Sequence, residues 1–408
     1  MSYATALKCR KCGQEYPIQP VNLCELCLSP LEVVYDYKAM RGAVTREKLA
    51  AGPIGMWRYK DLLPVEGEVV DIGTGYTPLI KAGNLGKELG LDNLYIKNDC
   101  VNPSYSFKDR PVSAAVTKAV EFGFKAVACA STGNLAASVA AHAAKARLKA
   151  FVFVPSDTES GKLVGAAIYG PTLVVVKGSY DDVNRLCATL AQRYKWGFIN
   201  INLRSYYAEG SKTLAYEVVE QLGWHEPECV VYPAGSGLSF TRIWKGLNEF
   251  ATLGLIKKPV KTHMYLVQAA GSSPIVNAFK AGAQHVNPVI PDTVAKSIAI
   301  GNPADGVYAL NIARDSGGGA CAVTDAELID GMKLLARTEG IFAEATGGAV
   351  IASVKKLAEA GTIKKNQLTV AYITGAGPRT QEVVSDIVKP FVVEPNLISF
   401  EKIVDTRV

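Results

Sequence analysis

Apolar and polar positions along this chain follow two periods, and the repeated switch between them outlines a fold. Short apolar runs rich in β-branched residues alternate with longer stretches in which apolar side chains recur every three to four positions. The pattern predicts strands over 125–130, 150–154, 172–176 and 198–200, separated by helices over 135–148, 161–169 and 181–194. A helix over 209–222 then leads into a second series: strand 229–232, a glycine turn, helix 238–252, strand 264–268 and helix 274–281. Helices over 325–338 and 348–360 and a strand over 368–373 close it. Strands and helices alternating at this spacing imply parallel sheets with right-handed crossovers, because parallel neighbours need a long connection. The expected class is therefore α/β, with two open, mostly parallel sheet domains. Residues 101–205 form the small one; residues 206–408, joined by part of 36–100, form the large one. The connector, with Pro53 and Pro64, has no clear period, and the tail over 397–408 predicts no role.

One switch carries a candidate for chemistry. The run Leu94-Tyr95-Ile96 precedes the stretch 102–110, Asn-Pro-Ser-Tyr-Ser-Phe-Lys-Asp-Arg, and Val112, Ala115, Val116, Ala119 and Val120 share one face after it. Lys108 thus stands at the entrance to a helix, where Pro111 is tolerated because the first turn has no intrahelical N–H bond to lose. Positive partial charge at a helix N-terminus favours the neutral amine, the form that attacks carbonyl carbon. Taken alone, the motif is better explained by a solvated lysine in a charged turn.

Composition narrows the class of protein. At 408 residues, 49% hydrophobic, the chain can bury the cores of two or three domains. Its 44 basic and 38 acidic residues are interspersed, without a Lys/Arg block or basic residues interleaved with aromatics, so no nucleic-acid partner is expected. Residues 1–8 lack the apolar part of a signal peptide, and the Ala-rich stretch 136–146 is broken by His142 and Lys145. No membrane span is expected, and a cytoplasmic protein is. Of nine cysteines, Cys100, Cys129, Cys187, Cys229 and Cys321 are singletons, as small buried side chains in a reducing compartment would be. The other four form two knuckles, Cys9-x-x-Cys12 and Cys24-x-x-Cys27. Four thiolates can close a tetrahedral zinc site, and a segment as short as 1–35 cannot fold on apolar burial alone. A zinc-ribbon-like segment with a structural role is the expectation; paired thiols without metal, or two disulfides, are the alternatives, and the cytoplasmic reading disfavours the second.

Three further loops lie at predicted strand ends, where open α/β sheets place their ligands. Ser131, Thr132, Gly133 and Asn134 combine hydroxyls, an amide and free N–H groups at a helix start, which suits a carboxylate, although an ordinary cap by Thr132 or Asn134 also accounts for them. Gly235, Ser236, Gly237, Leu238 and Ser239 can wrap a phosphate, yet match neither a P-loop nor a dinucleotide fingerprint; a tight turn without a ligand fits them too. Thr374 begins a third loop, Thr-Gly-Ala-Gly, with its hydroxyl at a strand end. Together with Lys108 these are the parts pyridoxal phosphate requires: a Schiff-base lysine, a phosphate cradle and a partner for the pyridine nitrogen.

On these motifs the chain, over about residues 67–387, resembles the fold-type II pyridoxal-phosphate enzymes, the tryptophan synthase β superfamily. The likeness runs through Ser-Phe-Lys-Asp-Arg at 106–110 and the stretches 130–144, 202–213, 299–306 and 339–348. The paired cysteines and residues 33–37 are similar to the long bacterial and archaeal members. The resemblance implies a fold of the tryptophan synthase β type, with pyridoxal phosphate on Lys108 and that lysine moving protons at the substrate's Cα and Cβ. It puts Asn134 at the cofactor's ring oxygen, Gly235, Ser236, Gly237, Leu238 and Ser239 around its phosphate, and Thr374 at the pyridine nitrogen. A hydroxyl there leaves that nitrogen largely unprotonated, which favours elimination over transamination. Ser131 and Thr132 would hold the substrate carboxylate, and Asn202, Arg204 and Lys212 its phosphate, Arg204 because its planar fork matches phosphate oxygens. Glu344 would lie near the ring, or else be an acid at a helix start. The branch most resembled converts O-phospho-L-homoserine and water into L-threonine and phosphate, as a homodimer. Replacement or dehydration of serine, phosphoserine or threonine would use the same lysine and loops, and a non-catalytic ligand-binding protein is the reading from another class.

Overall fold

The computed structural model describes residues 2–131, 133–156, 158, 160–178 and 180–402, and within them the alternation resolves into three sheets. The first is small and antiparallel, with β1 (Ala4–Cys9) between β2 (Glu15–Tyr16) and β3 (Leu31–Tyr35). The six-stranded sheet uses β4 (Leu79–Lys81) and β5 (Leu94–Asn98) from before the lysine motif. Next in the chain come β6 (Ala126–Ala130), β7 (Lys149–Pro155), β8 (Thr172–Val176) and β9 (Gly197–Phe198), which make a parallel sheet of their own in the order β8-β7-β6-β9. The chain then returns to the larger sheet with β10 (Cys229–Pro233), β11 (His263–Ala269), β12 (Gly319–Val323) and β13 (Thr369–Ile373). Its order is β12-β11-β10-β13-β5-β4, parallel throughout except at the edge pair β4–β5. The fold is α/β with two open sheets, one wholly and one mostly parallel.

Burial follows from this arrangement. Helices cover both faces of the central strands, so β6, β10 and β13 are buried at every position and read as continuous apolar runs. Two differences from the predicted elements have visible causes. The helix expected over 209–222 is two, Arg204–Gly210 and Thr213–Gln221. Gly210 packs so tightly on the lysine helix that a Cβ there would lie 2.4 Å from the carbonyl oxygen of Arg110. The helix Gly306–Asp315 and strand β12 were not predicted, because Gly317, Gly318 and Gly319 interrupt the pattern and β12 is built from small residues rather than β-branched ones.

The N-terminal sheet is docked on the larger body through Leu7, Leu31, Val33 and Tyr35, which join its core, and through polar contacts. The Ser205 hydroxyl donates to the Leu31 carbonyl at 3.1 Å, the Tyr35 hydroxyl to Glu209 at 2.8 Å, and the Lys245 ammonium to the Val33 carbonyl at 3.0 Å. Among the described residues no helix is long and apolar enough to cross a membrane.

Candidate active site

The backbone around Lys108 is fixed by buried charge. Lys108 precedes the helix Asp109–Glu121, and Arg110, one turn position further, is wholly buried. Its Nε donates to Asp99 at 2.7 Å, and its two Nη atoms donate to the two oxygens of Glu217 at 2.5 and 2.7 Å. Lys97 Nζ reaches Glu217 at 2.7 Å, so two acids and two bases neutralise one another inside the protein. Burial alone would raise the Glu217 carboxyl, but Arg110 and Lys97 hold it at about 2. On the other side of the lysine, Asp109 accepts from the Ser104 N–H at 2.7 Å and from the Ser138 hydroxyl at 2.6 Å, which ties the turn to the helix Asn134–Lys145. Lys108 itself is half-buried, with Nζ 3.2 Å from the Tyr207 hydroxyl and 4.6 Å from the centre of the Phe107 ring.

The loop after β13 joins this turn to the first helix of the parallel sheet. Phe107 N–H donates to the Thr374 carbonyl at 2.9 Å, Ala376 N–H to the Tyr105 carbonyl at 3.0 Å, and Glu344 N–H to the Gly375 carbonyl at 3.0 Å. A Cβ at residue 375 would lie 2.6 Å from the Glu344 carboxylate, so any residue but glycine there displaces that side chain. That carboxylate is buried and accepts from Asn134 Nδ2 at 3.1 Å and from the Ser297 hydroxyl at 3.2 Å. Burial pushes its carboxyl up, opposed in part by these two hydrogen bonds and by Arg379 and Lys108. Thr374 is also buried, at the end of β13. Lys108, Asn134, Glu344 and Thr374 therefore meet where strand ends of both sheets converge.

The glycine loop after β10 completes the crevice. Gly237, at φ +85°, starts the helix Leu238–Thr252 and offers it no side-chain cap; the Leu238 N–H makes a long bond of 3.4 Å to the Ser236 hydroxyl, and the helix start presents its positive end to an anion. The stretch 299–306 braces the loop from behind: Asp305 N–H donates to the Ser236 carbonyl at 3.0 Å, and a Cβ on Gly237 would lie 3.1 Å from the Asp305 carbonyl oxygen. Ser239 Oγ lies 3.5 Å from Ser211 Oγ.

The remaining predicted residues are placed less uniformly. Ser131, half-buried at the end of β6, accepts from Gly133 N–H at 3.4 Å; Thr132 lies outside the described residues. Asn202 closes the turn after β9, accepting from Phe198 N–H at 2.8 Å and donating to the Trp196 carbonyl at 3.0 Å. Arg204 Nη2 meets Asp305 at 2.5 Å. The expectation at Lys212 gives way to an internal role. Its ammonium is wholly buried and meets the Leu62 carbonyl at 2.9 Å, Glu209 at 2.7 Å and Glu249 at 3.0 Å, so its three donors are all engaged. Nothing in the sequence distinguishes Tyr207 from Tyr206, and Glu344 fits a helix-start acid there as well as a group near the ring.

The donor set fits pyridoxal phosphate: an amine at a helix entrance, an uncapped helix behind a glycine cradle for a phosphate, and a hydroxyl and an amide on neighbouring strand ends. A family model described as pyridoxal-phosphate dependent enzyme matches residues 70–375, and the chain belongs to this family of enzymes, whose cofactor is pyridoxal phosphate. Its similarity is resolved further by individual relatives. The threonine synthase of Methanocaldococcus jannaschii is 41% identical over 374 residues, covering 91% of this chain and 92% of the relative. That of Methanosarcina acetivorans is 39% identical over 395 residues, 96% of each, and that of Mycobacterium tuberculosis 36% identical over 347 residues, 83% of this chain and 92% of the relative. Within the family, the chain groups with the threonine synthases. Solved structures share the fold: maize serine racemase, at 18% identity and a TM-score of 0.62, spans 77% of this chain and 93% of its own. A threonine deaminase isoform of Solanum lycopersicum, at 21% and 0.63, spans 77% and 89%.

Proposed function

We propose that this chain converts O-phospho-L-homoserine and water into L-threonine and phosphate, with Lys108 as the lysine that carries pyridoxal phosphate. The observation that carries the reading is the breadth of the likeness to threonine synthases, which reaches 96% of the chain. When bound, the cofactor supplies an electron sink for charge developing on the substrate carbons beside the amino group. The rest is the work of the chain. Lys108 moves protons at Cα and Cβ, and the Tyr207 hydroxyl, 3.2 Å from its Nζ, orients the amine. Ser131 and the first turn of the helix Asn134–Lys145 receive the substrate carboxylate. Gly235, Ser236, Gly237, Leu238 and Ser239 offer N–H groups and hydroxyls to the cofactor phosphate, while Asn134 and Thr374 face its ring. Arg204 engages Asp305 through Nη2, which leaves the other side of its planar fork for the phosphate that departs from Cγ. Water adds at Cβ once the phosphate has left. A homodimer in the cytoplasm is the setting we attach to this reading.

The test is to incubate the purified holoenzyme with O-phospho-L-homoserine and measure phosphate and threonine together. Equimolar release supports the proposal. Ammonia and keto acid formed from serine or threonine, without threonine formation from the phosphorylated substrate, would transfer the assignment to a dehydratase.

A further inference from the structure

We propose that Cys9, Cys12, Cys24 and Cys27 bind one zinc ion, and that this centre holds Arg10 against Asp305 and thereby braces the loop that receives the cofactor's phosphate. The four Sγ atoms all lie within 4.8 Å of one another, with Cys9–Cys27 at 3.4 Å and Cys12 at 3.6 Å from both Cys24 and Cys27. Zinc–thiolate bonds of about 2.3 Å put the corners of a tetrahedron about 3.8 Å apart. A disulfide would need about 2.0 Å. The knuckles are also shaped around sulfur. The N–H groups of Lys11 and Cys12 both point at Cys9 Sγ at 3.4 Å, and the Tyr16 hydroxyl donates to Cys24 Sγ at 3.2 Å. Leu7, Leu31 and Val33 anchor the sheet of this segment in the core, but apolar burial does not hold the second knuckle, where Leu26 and Leu28 are each 74% exposed. Four thiolates leave zinc no open position, so the centre is structural rather than catalytic.

What it supports is visible one residue along. Arg10, between the first two cysteines, lies with its guanidinium 3.5 Å from the centre of the Tyr308 ring and its Nη1 2.6 Å from one oxygen of Asp305. Arg204 takes the other oxygen at 2.5 Å. The Asp305 side chain is wholly buried, and a buried carboxylate depends on its cations. Its backbone N–H is the one bonded to Ser236, and its carbonyl is the one packed against Gly237. Losing the metal opens the knuckle and withdraws Arg10. Asp305 is then left with Arg204 alone, and the phosphate loop loses its support. Arg10 is a positioning residue in this scheme and touches no substrate.

The experiment measures zinc per chain in the protein as purified and the dissociation constant of pyridoxal phosphate, by equilibrium dialysis, before and after metal removal, in wild type and Arg10→Gln. One zinc per chain is expected. Its removal should weaken cofactor binding about tenfold, the worth of one charge-assisted hydrogen bond, and added zinc should restore it. Arg10→Gln should keep its zinc, show the same weakening, and lose little more when stripped; Arg10→Lys should recover part of the affinity. Substoichiometric zinc overturns the metal site. Cofactor affinity unchanged in zinc-loaded Arg10→Gln overturns the link, and that arm stands even if stripping unfolds the protein. A full further loss on stripping Arg10→Gln also overturns it, because the metal would then act by another route.

Discussion

Arg110 and Glu217 face each other through two parallel hydrogen bonds of 2.5 and 2.7 Å, in a place where neither side chain touches water. The pair sits two residues from Lys108, so the position of the reactive amine depends on a charge balance inside the core. Removing one partner strands the other. Arg110→Gln is expected to cost about 3–5 kcal/mol in denaturant unfolding, as unpaired buried charges do.

The same pair sets an acid limit. The Glu217 carboxyl is depressed from 4.5 to about 2, so the stability it contributes is complete above about pH 4.5 and disappears as the pH falls through about 2. Unfolding free energy measured across that window should fall in wild type and fall less steeply in Glu217→Gln.

Lys108→Ala should leave secondary structure intact, abolish borohydride-stable attachment of pyridoxal phosphate, and lower kcat by at least about a thousandfold, the scale of losing a positioned proton-transfer group. Attachment that survives the substitution would remove Lys108 from the assignment.

Glu344 titrates in the opposite sense from Glu217. Burial raises its carboxyl, so its ionisation cost is absent below the ordinary value of 4.5, grows as the pH rises, and is complete above the raised value. Cofactor-free Glu344→Gln should match wild type in stability at low pH and exceed it above that window, as read from urea midpoints. A constant difference across the range would show that burial leaves the Glu344 carboxyl at its ordinary value.

Arg204 should separate substrate from cofactor. Arg204→Lys keeps the charge beside Asp305 but loses the planar fork, so KM for the phosphorylated substrate should rise about tenfold or more while the visible spectrum of the holoenzyme stays unchanged. A spectrum altered without a KM effect would assign Arg204 to the cofactor loop.

Much of this was legible in the sequence, and the parts that were not share a cause. The alternation of buried strands with helices gives both sheets, since that pattern depends on local periodicity. Lys108, Asn134, Gly237 and Thr374 were visible because each sits at a strand-to-helix switch. Tyr207 and Asp305 were not, because their roles arise from contacts across the fold: Tyr207 is 99 residues from Lys108, and Asp305 lies 295 from Arg10 and 101 from Arg204. The internal pairing of Lys212 is hidden from the sequence as well. The family resemblance put it at the substrate phosphate, whereas Glu209, Glu249 and Leu62, all contacts across the fold or along its own helix pair, hold its ammonium inside.

The position of β13 has a consequence for how the molecule is made. This strand, at Thr369–Ile373, lies between β10 and β5 and not at an edge. A nascent chain therefore carries its large sheet as two unjoined halves until β13 has left the ribosome. The residues that follow the strand, Thr374 and Gly375, are those that knit the lysine turn to Glu344. Closing the sheet and assembling the cofactor crevice thus depend on the same strand, and without β13 the lysine turn loses its tie to Glu344.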